Sequence, residues 1–141
     1  MSAFLLDTNI LSEIYRPDAN EKVLRWVERQ DIENLFLTVF AIGEVRVGVE
    51  NLPAGKRRVA LETWLEDYVL TNFEGRILSF DIKAVDAWAC LTANDRKNGR
   101  PRPIVDAMIA SIALARKLTV VTRNTRDFED LDLKIINPFE H

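Results

Sequence analysis

The sequence predicts an α/β protein, a three-layer α/β/α sandwich built on a short parallel sheet. Apolar runs of four or five residues alternate with longer segments whose apolar residues recur at helical spacing. The short runs are apolar throughout, as is typical of strands that are covered on both faces. Right-handed crossovers between such strands place helices on both sides of the sheet.

Two strands and two short helices are expected in the first part of the chain. Thr8 or Asn9 can cap the first helix, and Arg16-Pro17-Asp18 ends it. In the second helix, Val23 and Val27 share an apolar face. The expected elements are a strand at 2–6, helices at 10–15 and 23–29, and a strand at 35–38.

A helical hairpin is expected next. An apolar stripe at helical period runs from Val39 to Leu52, and Pro53-Ala54-Gly55 breaks it. A second amphipathic segment follows at 59–69. Because the break is short, we expect the two helices to pack against each other.

The last part of the chain repeats the strand and helix alternation. Asp81 is expected to cap a helix that ends near Lys97, before a polar loop rich in Gly and Pro. The helix at 104–117 is apolar on nearly all sides and is therefore predicted to be buried. The remaining strands are expected at 77–80, 119–122 and 134–136. With 141 residues, the chain is expected to form one domain over 1–141.

The composition excludes several classes of chemistry. Cys90 is the single cysteine, which excludes an internal disulfide and fits a reducing cytoplasm. No apolar run approaches the roughly 20 residues that span a bilayer, and no secretory signal is seen, so a cytoplasmic location is expected. The single histidine is the last residue, His141, which disfavours Ser-His, Cys-His and zinc–histidine sites. The net charge of −3 gives no global attraction for nucleic acid.

Three carboxylates interrupt apolar runs: Asp7, Glu44 and Asp106. An isolated buried carboxylate costs several kcal/mol unless it is paired, protonated or bound to a metal. Asp7 follows a predicted strand at the edge where parallel sheets build sites, and Asp106 opens a predicted helix. We therefore expect the three acids to converge on a divalent cation, and oxygen ligands favour Mg²⁺ or Mn²⁺.

Each acid also has an ordinary structural interpretation. Asp7 could form an Asx turn that caps the first helix. Glu44 could be a solvated residue of an amphipathic helix, and Asp106 could be a helix-start acid favoured by the helix dipole. The apolar neighbours of Asp106 make it the strongest functional candidate of the three.

A polar segment after the fourth predicted strand adds further candidates. Asn124 could cap a helix, or its amide oxygen could serve a metal-bound water. Asp127 could be a first-turn acid or a fourth negative charge at the site. Arg123 could hold a phosphate through its guanidinium fork, with Thr8 or Asn9 donating to a phosphate oxygen.

These motifs, taken together and in order, resemble those of PIN-domain ribonucleases of the VapC toxin type, which belong to toxin–antitoxin pairs. The four matching pieces span nearly the whole chain. They are Leu6-Asp7-Thr8-Asn9; residues 39–48 with Glu44; Asp106-Ala107-Met108-Ile109-Ala110; and Thr122-Arg123-Asn124 followed by Asp127-Phe128.

The resemblance implies a Mg²⁺- or Mn²⁺-dependent endoribonuclease. It makes Asp7 and Asp106 metal ligands, with Glu44 completing an acidic triad and Asn124 at a position that is Asp in some relatives. It also implies a cognate antitoxin that blocks the site, and a homodimer or larger assembly. Thr122 matches the family pattern and is grouped with the substrate-binding candidates.

Two other functions stay open at this point. A non-catalytic PIN-like binding module would keep the fold without turnover, and Asn124 in place of an acid is compatible with it. An aspartyl-nucleophile phosphatase would use Asp7 to attack phosphate, but it requires a second acid where this chain has Asn9. A dinucleotide-binding domain is excluded, because no glycine-rich turn follows the first strand. The RNA target and the number of metal ions are not specified by the sequence.

Overall fold

The predicted fold class is confirmed in the computed structural model, which describes residues 2–140. The centre is a five-stranded parallel sheet in the order β3-β2-β1-β4-β5. The strands are β1 (Phe4–Leu6), β2 (Leu35–Thr38), β3 (Ile77–Leu78), β4 (Thr119–Val121) and β5 (Ile135–Ile136). The sheet is parallel because a helical crossover separates most successive strands.

Helices cover both faces of this sheet. They are α1 (Thr8–Tyr15), α2 (Glu21–Glu28), α3 (Val39–Asn51), α4 (Lys56–Thr63), α5 (Leu70–Asn72), α6 (Ile82–Lys97) and α7 (Ile104–Arg116). A π-helical segment, Trp64–Val69, joins α4 to α5 without a break in the chain direction. Short 3₁₀ helices lie at Ile32–Asn34 and Thr125–Asp127. None of the helices within residues 2–140 is both long and apolar enough to cross a membrane.

Strand β1 supplies the two cores in alternation. Phe4 and Leu6 pack into the cluster formed with α1, α2, α3 and the π-helical segment. Leu5, between them, packs into the opposite cluster with α6 and α7. Alternate strand residues point to opposite faces of a sheet, so three consecutive buried residues require helices on both sides. The strand is therefore apolar throughout.

The predicted helical hairpin is confirmed. Thr38 caps α3, since its side chain accepts a hydrogen bond from the Ala41 amide. Helix α4 packs along α3, with ion pairs Glu50–Arg58 at 3.3 Å and Arg46–Glu66 at 3.1 Å. The predicted cap at Asp81 is also confirmed, because its carboxylate accepts from the Ala84 amide.

Two expectations about helices were wrong. Helix α1 begins at Thr8 and its cap is Asp7, so neither Thr8 nor Asn9 is the cap. Helix α7 is not buried on all sides, because Ile104 is 67% exposed and Val105 is 42% exposed. Its first turn projects beyond the sheet, whereas the turns that follow lie against it.

The order in which strands are added to the sheet reverses at β1. The chain builds β2 and β3 on one side of β1, and then returns to build β4 and β5 on the other. Leu6 pairs with Val121, and the Asp7 amide donates to the Val121 carbonyl at 2.9 Å. Open α/β sheets form their sites at the carboxyl ends of strands where the order reverses. In this fold, Asp7 lies at that point.

Candidate active site

The Asp7 carboxylate is held by three hydrogen bonds. Its Oδ1 accepts from the Thr8 amide at 2.8 Å, which is the helix cap. Its Oδ2 accepts from the Thr122 hydroxyl at 2.8 Å and from the Asn9 side-chain amide at 3.3 Å. The capping interpretation of Asp7 is therefore confirmed, and it is compatible with a role in the site. The bonds fix the carboxylate between β1 and β4.

Asn9 and Thr122 form a small polar network around Asp7. The Asn9 side chain accepts from the Arg123 amide at 3.1 Å and donates to the Thr122 hydroxyl at 3.3 Å. The Thr122 hydroxyl also accepts from the Asn124 amide at 3.0 Å, and Thr122 is fully buried. These atoms contact the protein itself, so the two side chains position Asp7. Direct contact of either with a substrate stays a prediction.

Glu44 reaches the same rim from helix α3. It is exposed, which agrees with the alternative that it is a solvated residue of an amphipathic helix, although it interrupts an apolar run in the sequence. Near it lies Thr8, whose hydroxyl is the one buried side-chain oxygen or nitrogen in residues 2–140 without a hydrogen bond of ordinary geometry. A contact of the Thr8 hydroxyl with the Glu44 carboxylate lowers the pKa of Glu44, but burial raises that pKa by more. An unpartnered buried hydroxyl beside a carboxylate is a polar group able to meet a ligand.

Partial burial raises the pKa of Asp7, Glu44 and Asp106 above the ordinary values, and mutual repulsion adds to it. For Asp106, burial is followed by repulsion from Asp127 and from Asp7. For Glu44, burial is followed by repulsion from Asp7 and Asp106. For Asp7, burial is the main cause, and Asp127 adds to it against the hydrogen bonds of Thr122 and Thr8. The structure thus brings the three predicted acids within electrostatic range of each other.

We call Asp7, Glu44, Asp106 and Asp127 the acid cluster. Asp127 lies in the short 3₁₀ helix after β4. Within residues 2–140, none of the four carboxylates forms an ion pair with a lysine or arginine. Negative charge therefore accumulates at this rim without an ion-pair partner in the described residues, although the charge of Arg102 lowers the pKa of Asp106 in part. Such a place suits an external cation.

The donor chemistry of the acid cluster fits a hard divalent ion. Its ligands are carboxylate oxygens, with the Thr8 hydroxyl nearby, and Mg²⁺ prefers oxygen. Within the part of the chain that the structure describes, no group of three acidic, cysteine or histidine side chains is arranged to hold one metal ion. Mg²⁺ usually keeps several waters and needs only one or two carboxylates from the protein, so a complete protein cage is not required.

Asn124 and Arg123 are both exposed, and neither side chain forms a hydrogen bond or ion pair with the acids in the described residues. Asn124 is exposed and occupies the cap position of the 3₁₀ helix, as the capping interpretation predicts, but its side chain makes no capping hydrogen bond. The Arg123 guanidinium lies over the Phe139 ring, 4.6 Å from its centre. That contact is a cation–π interaction. The proposed roles of both residues toward metal or phosphate remain predictions.

The chain was compared with known protein families. The model of the PIN domain family matches residues 4–134, which is nearly the whole sequence. The chain belongs to the PIN domain family. The resemblance expected from the four sequence motifs is confirmed.

Two relatives match this chain over almost the full length of both proteins. A plasmid stability protein, StbB of Pseudomonas syringae pv. tomato, is 43% identical over 96% of this chain and 98% of its own. The VapC ribonuclease Y4jK of Sinorhizobium fredii is 40% identical over 96% of this chain and 97% of its own. Both matches run over nearly the full length of this chain and of the relative.

Solved structures show the same fold. The structure of FitAcB from Neisseria gonorrhoeae has a TM-score of 0.91 and 36% identity, covering 98% of this chain and 99% of that chain. VapBC-5 of Mycobacterium tuberculosis, described as a member of the VapBC family of toxin–antitoxin systems, has a TM-score of 0.68 and 28% identity, covering 97% and 99%. The neighbours are thus complexes of the kind that the sequence motifs predicted.

A groove beside the acid cluster was not predicted from the sequence. It has a volume of about 660 Å³ and lies between α1, α3 and α4 of the PIN domain. Glu44 stands at its wall, and Tyr15 and Trp64 contact each other along it, with ring centres 4.7 Å apart. Each aromatic residue lies in a predicted helix, and a helical pattern alone does not indicate that both rings border an open groove.

Proposed function

We propose that this PIN domain is a toxin ribonuclease, which hydrolyses RNA phosphodiester bonds with the help of Mg²⁺ or Mn²⁺ at the acid cluster. The observation that carries the proposal is the acid cluster itself. Asp7 lies at the carboxyl end of β1, the other acids approach it from α3, α7 and the 3₁₀ helix after β4, and none of the four has an ion-pair partner within residues 2–140. The named relatives include a VapC ribonuclease, which supports the ribonuclease class.

Each acid has a proposed role. Asp7 and Asp106 would hold the ion, and Glu44 would orient a water or contribute to a second ion. A bound divalent ion supplies a more acidic water and stabilises charge on the phosphoryl oxygens. Asp7 is suited to its role because Thr122 and the Thr8 amide fix its orientation before anything binds. Preorganised ligands lose little freedom when the ion arrives.

The phosphate group would be held by neutral and basic groups beside the acids. The Thr8 hydroxyl is without an ordinary hydrogen bond and can donate to a phosphate oxygen. Arg123 offers a guanidinium and Asn124 an amide on the exposed side of the rim. Asn9 and Thr122 would act mainly through Asp7. We infer a single-stranded or looped RNA substrate, because unpaired bases are the accessible form for sequence-specific reading.

An antitoxin is the proposed protein partner. A basic side chain from an antitoxin segment would neutralise the acid cluster in place of a metal ion, and the groove beside Glu44 is open to receive such a segment. Solved neighbours of the VapBC type support a partner of this class. If charge neutralisation drives inhibition, high salt and excess Mg²⁺ will weaken it. An antitoxin complex whose inhibition is insensitive to both would contradict this proposal.

Three further expectations remain proposals. We infer one domain over residues 1–141, a cytoplasmic location, and a homodimer or larger toxin–antitoxin assembly. Light scattering of the purified protein, alone and with its antitoxin, tests the assembly directly. A monomer in both samples would overturn that part.

The central experiment measures RNA cleavage with and without a chelator. We expect wild-type protein to cut RNA in Mg²⁺ or Mn²⁺ and to lose that activity in EDTA. The variant Asp106→Asn should fold and lose activity, because it removes one proposed ligand charge. Asp86→Asn is a matched control, since Asp86 is an exposed acid on α6 away from the acid cluster. Cleavage by Asp106→Asn at the wild-type rate would refute the site assignment.

A non-catalytic PIN module is the second candidate function. It is favoured by the lack of a ready three-residue metal ligand set in residues 2–140 and by Asn124 at a position that can hold an acid. Calorimetric titration with Mn²⁺ separates the two candidates. Binding that is lost in Asp7→Ala supports the enzyme, whereas no binding by the wild type supports the module.

A further inference from the structure

Arg102 lies beside the acid cluster but is not part of it. It belongs to the loop between α6 and α7, and its side chain is only 10% exposed. Nε and Nη2 donate to the two Asp95 oxygens at 2.9 and 3.2 Å, which is a bidentate pair. Nη1 and Nη2 donate to Asp130 at 3.3 and 2.8 Å. We call Asp95, Arg102 and Asp130 the arginine-centred cluster.

A further bond of Arg102 reaches the segment that carries Asp127. Nη1 donates to the Asp127 backbone carbonyl at 2.7 Å. The guanidinium therefore joins three parts of the chain: the end of α6, the loop before α7, and residues 125–130. Arg102 and Asp127 are 25 residues apart in sequence, so this is a tertiary link.

Few other contacts fix residues 125–130. The backbone hydrogen bonds of this segment are local, from Asp127 to Asn124 and from Phe128 to Thr125. Phe128 is 1% exposed and packs into the core with α6 and α7. The buried Phe128 ring holds the segment against the core, but it does not fix the direction of the Asp127 carbonyl. The Arg102 hydrogen bond does, because its geometry is directional.

We propose that Arg102 is a positioning residue, which holds residues 125–130 so that the Asp127 carboxylate stays beside Asp7 and Asp106. The inference rests on the proposed metal-dependent function and adds a residue to it. Arg102 acts through Asp127, and it does not itself touch a metal or RNA. Because its three nitrogens are already committed within the protein, it is not available as a phosphate ligand.

The test measures Mn²⁺ affinity, with the metal alone as the probe. Arg102→Met is expected to raise the Mn²⁺ dissociation constant about tenfold, as loss of an outer partner of a metal ligand typically does. Arg102→Lys keeps the charge and is the variant of choice if Arg102→Met does not fold. One ammonium cannot reach Asp95, Asp130 and the Asp127 carbonyl together, so its affinity should also fall several-fold.

Arg100→Met is the matched control. Arg100 precedes Arg102 by two residues and also approaches Asp130, at 3.4 Å, but its side chain is 63% exposed and makes no hydrogen bond to Asp127 in the described residues. The control should bind Mn²⁺ like the wild type. A loss equal to that of Arg102→Met would mean that local positive charge, and not the link to Asp127, sets the affinity, and it would overturn the inference.

A double-mutant cycle with Asp127→Ala gives the decisive readout. If Arg102 acts through Asp127, then Arg102→Met should cause no further loss of Mn²⁺ affinity in the Asp127→Ala background, while its effect on the melting temperature persists. An undiminished tenfold loss in that background overturns the inference, as does wild-type affinity in folded Arg102→Met or Arg102→Lys. If the wild type itself binds no Mn²⁺, the proposed function fails, and this inference fails with it.

Discussion

Two groups of acidic side chains lie next to each other at the carboxyl edge of the sheet, and they differ in how their charge is balanced. In the arginine-centred cluster, Asp95 and Asp130 share the Arg102 guanidinium, and the close contact with Asp95 raises the pKa of Arg102. In the acid cluster, carboxylates repel one another, and none of the four has an arginine or lysine ion pair in the described residues.

We infer that the difference separates a group of charges that stabilises the fold from one that is available to bind a ligand. A buried acid with an internal cation already has its partner, and it stabilises the folded chain by remaining paired. An acid without one is tolerated only because the fold places it at an open rim, where protons, metal ions or a partner's cations can reach it. The two clusters should therefore respond in opposite ways to mutation, and the following predictions test that contrast.

The largest expected effect is on catalysis at the acid cluster. Asp7→Asn should lower the rate of RNA cleavage by roughly a hundredfold or more, since a charged metal ligand contributes several kcal/mol to the transition state. Asparagine keeps one oxygen to accept from the Thr8 amide, but its amide nitrogen replaces the oxygen that accepts from Thr122 and Asn9, so a modest fall in melting temperature is expected. Steady-state cleavage of a labelled RNA measures the effect. Asp95→Asn is the comparison, and its catalytic loss should be much smaller.

A bound ion should stabilise the whole protein. At a Mn²⁺ concentration about 100 times the dissociation constant, the free energy of unfolding should rise by about 2.7 kcal/mol. Urea denaturation with Mn²⁺ and with EDTA measures the change. The increase should disappear in Asp7→Ala and persist in Asp86→Asn. Equal stabilisation of all three proteins would show that the ion binds elsewhere.

The arginine-centred cluster should show its effect on stability instead. Asp95→Ala should lower the free energy of unfolding by about 2 kcal/mol, less than the loss of a sole partner from a buried pair, because Asp130 still neutralises Arg102. Chemical denaturation without metal measures it. A variant at an exposed acid of the same helix, Asp86→Ala, should lie within about 0.5 kcal/mol of the wild type.

The smallest expected effect concerns pH and Asp106 in the metal-free protein. Its folded-state pKa is raised above the ordinary 3.8, mainly by burial and then by repulsion from Asp127. The protonated carboxyl therefore favours the folded state, so this contribution is full at pH values below 3.8 and is lost as pH rises through the raised pKa.

Asp106→Asn should abolish the loss of stability that the Asp106 carboxyl causes as the pH rises. At neutral pH the metal-free variant should be more stable than the wild type, by less than about 1 kcal/mol because the half-exposed group is screened by solvent. The difference should vanish at low pH. Thermal unfolding across the pH range in EDTA measures it, and a variant less stable than the wild type at neutral pH would contradict the sign.

Much of the fold could be predicted because its signals are local. The strand at 35–38 matches β2, and the cap at Asp81 and the helix that follows it agree with α6. The start of α1 and the exposure of α7 could not be predicted in the same way. Asp7, Thr8 and Asn9 can each cap a helix, and the end of the β1–β4 pairing at Leu6 leaves Asp7 in the cap position.

The site was predicted in part for a related reason. Asp7, Glu44 and Asp106 stand out in the sequence because each interrupts an apolar run, and the structure brings them within range of each other. Asp127 was only one option among several, since its segment could have been a regular helix. Arg102 gave no signal, because a loop arginine acquires its role only when Asp95 and the Asp127 carbonyl meet it in space.

The strand order has a consequence for the newly made polypeptide. Asp7 is synthesised 115 residues before Thr122, whose hydroxyl donates to its carboxylate, and also before β4, the strand that pairs with β1 beside it. A chain interrupted before residue 119 would contain Asp7, Glu44 and Asp106 but would lack Thr122, which orients the Asp7 carboxylate. The orientation of Asp7 is therefore complete only after β4 has been made and has paired with β1.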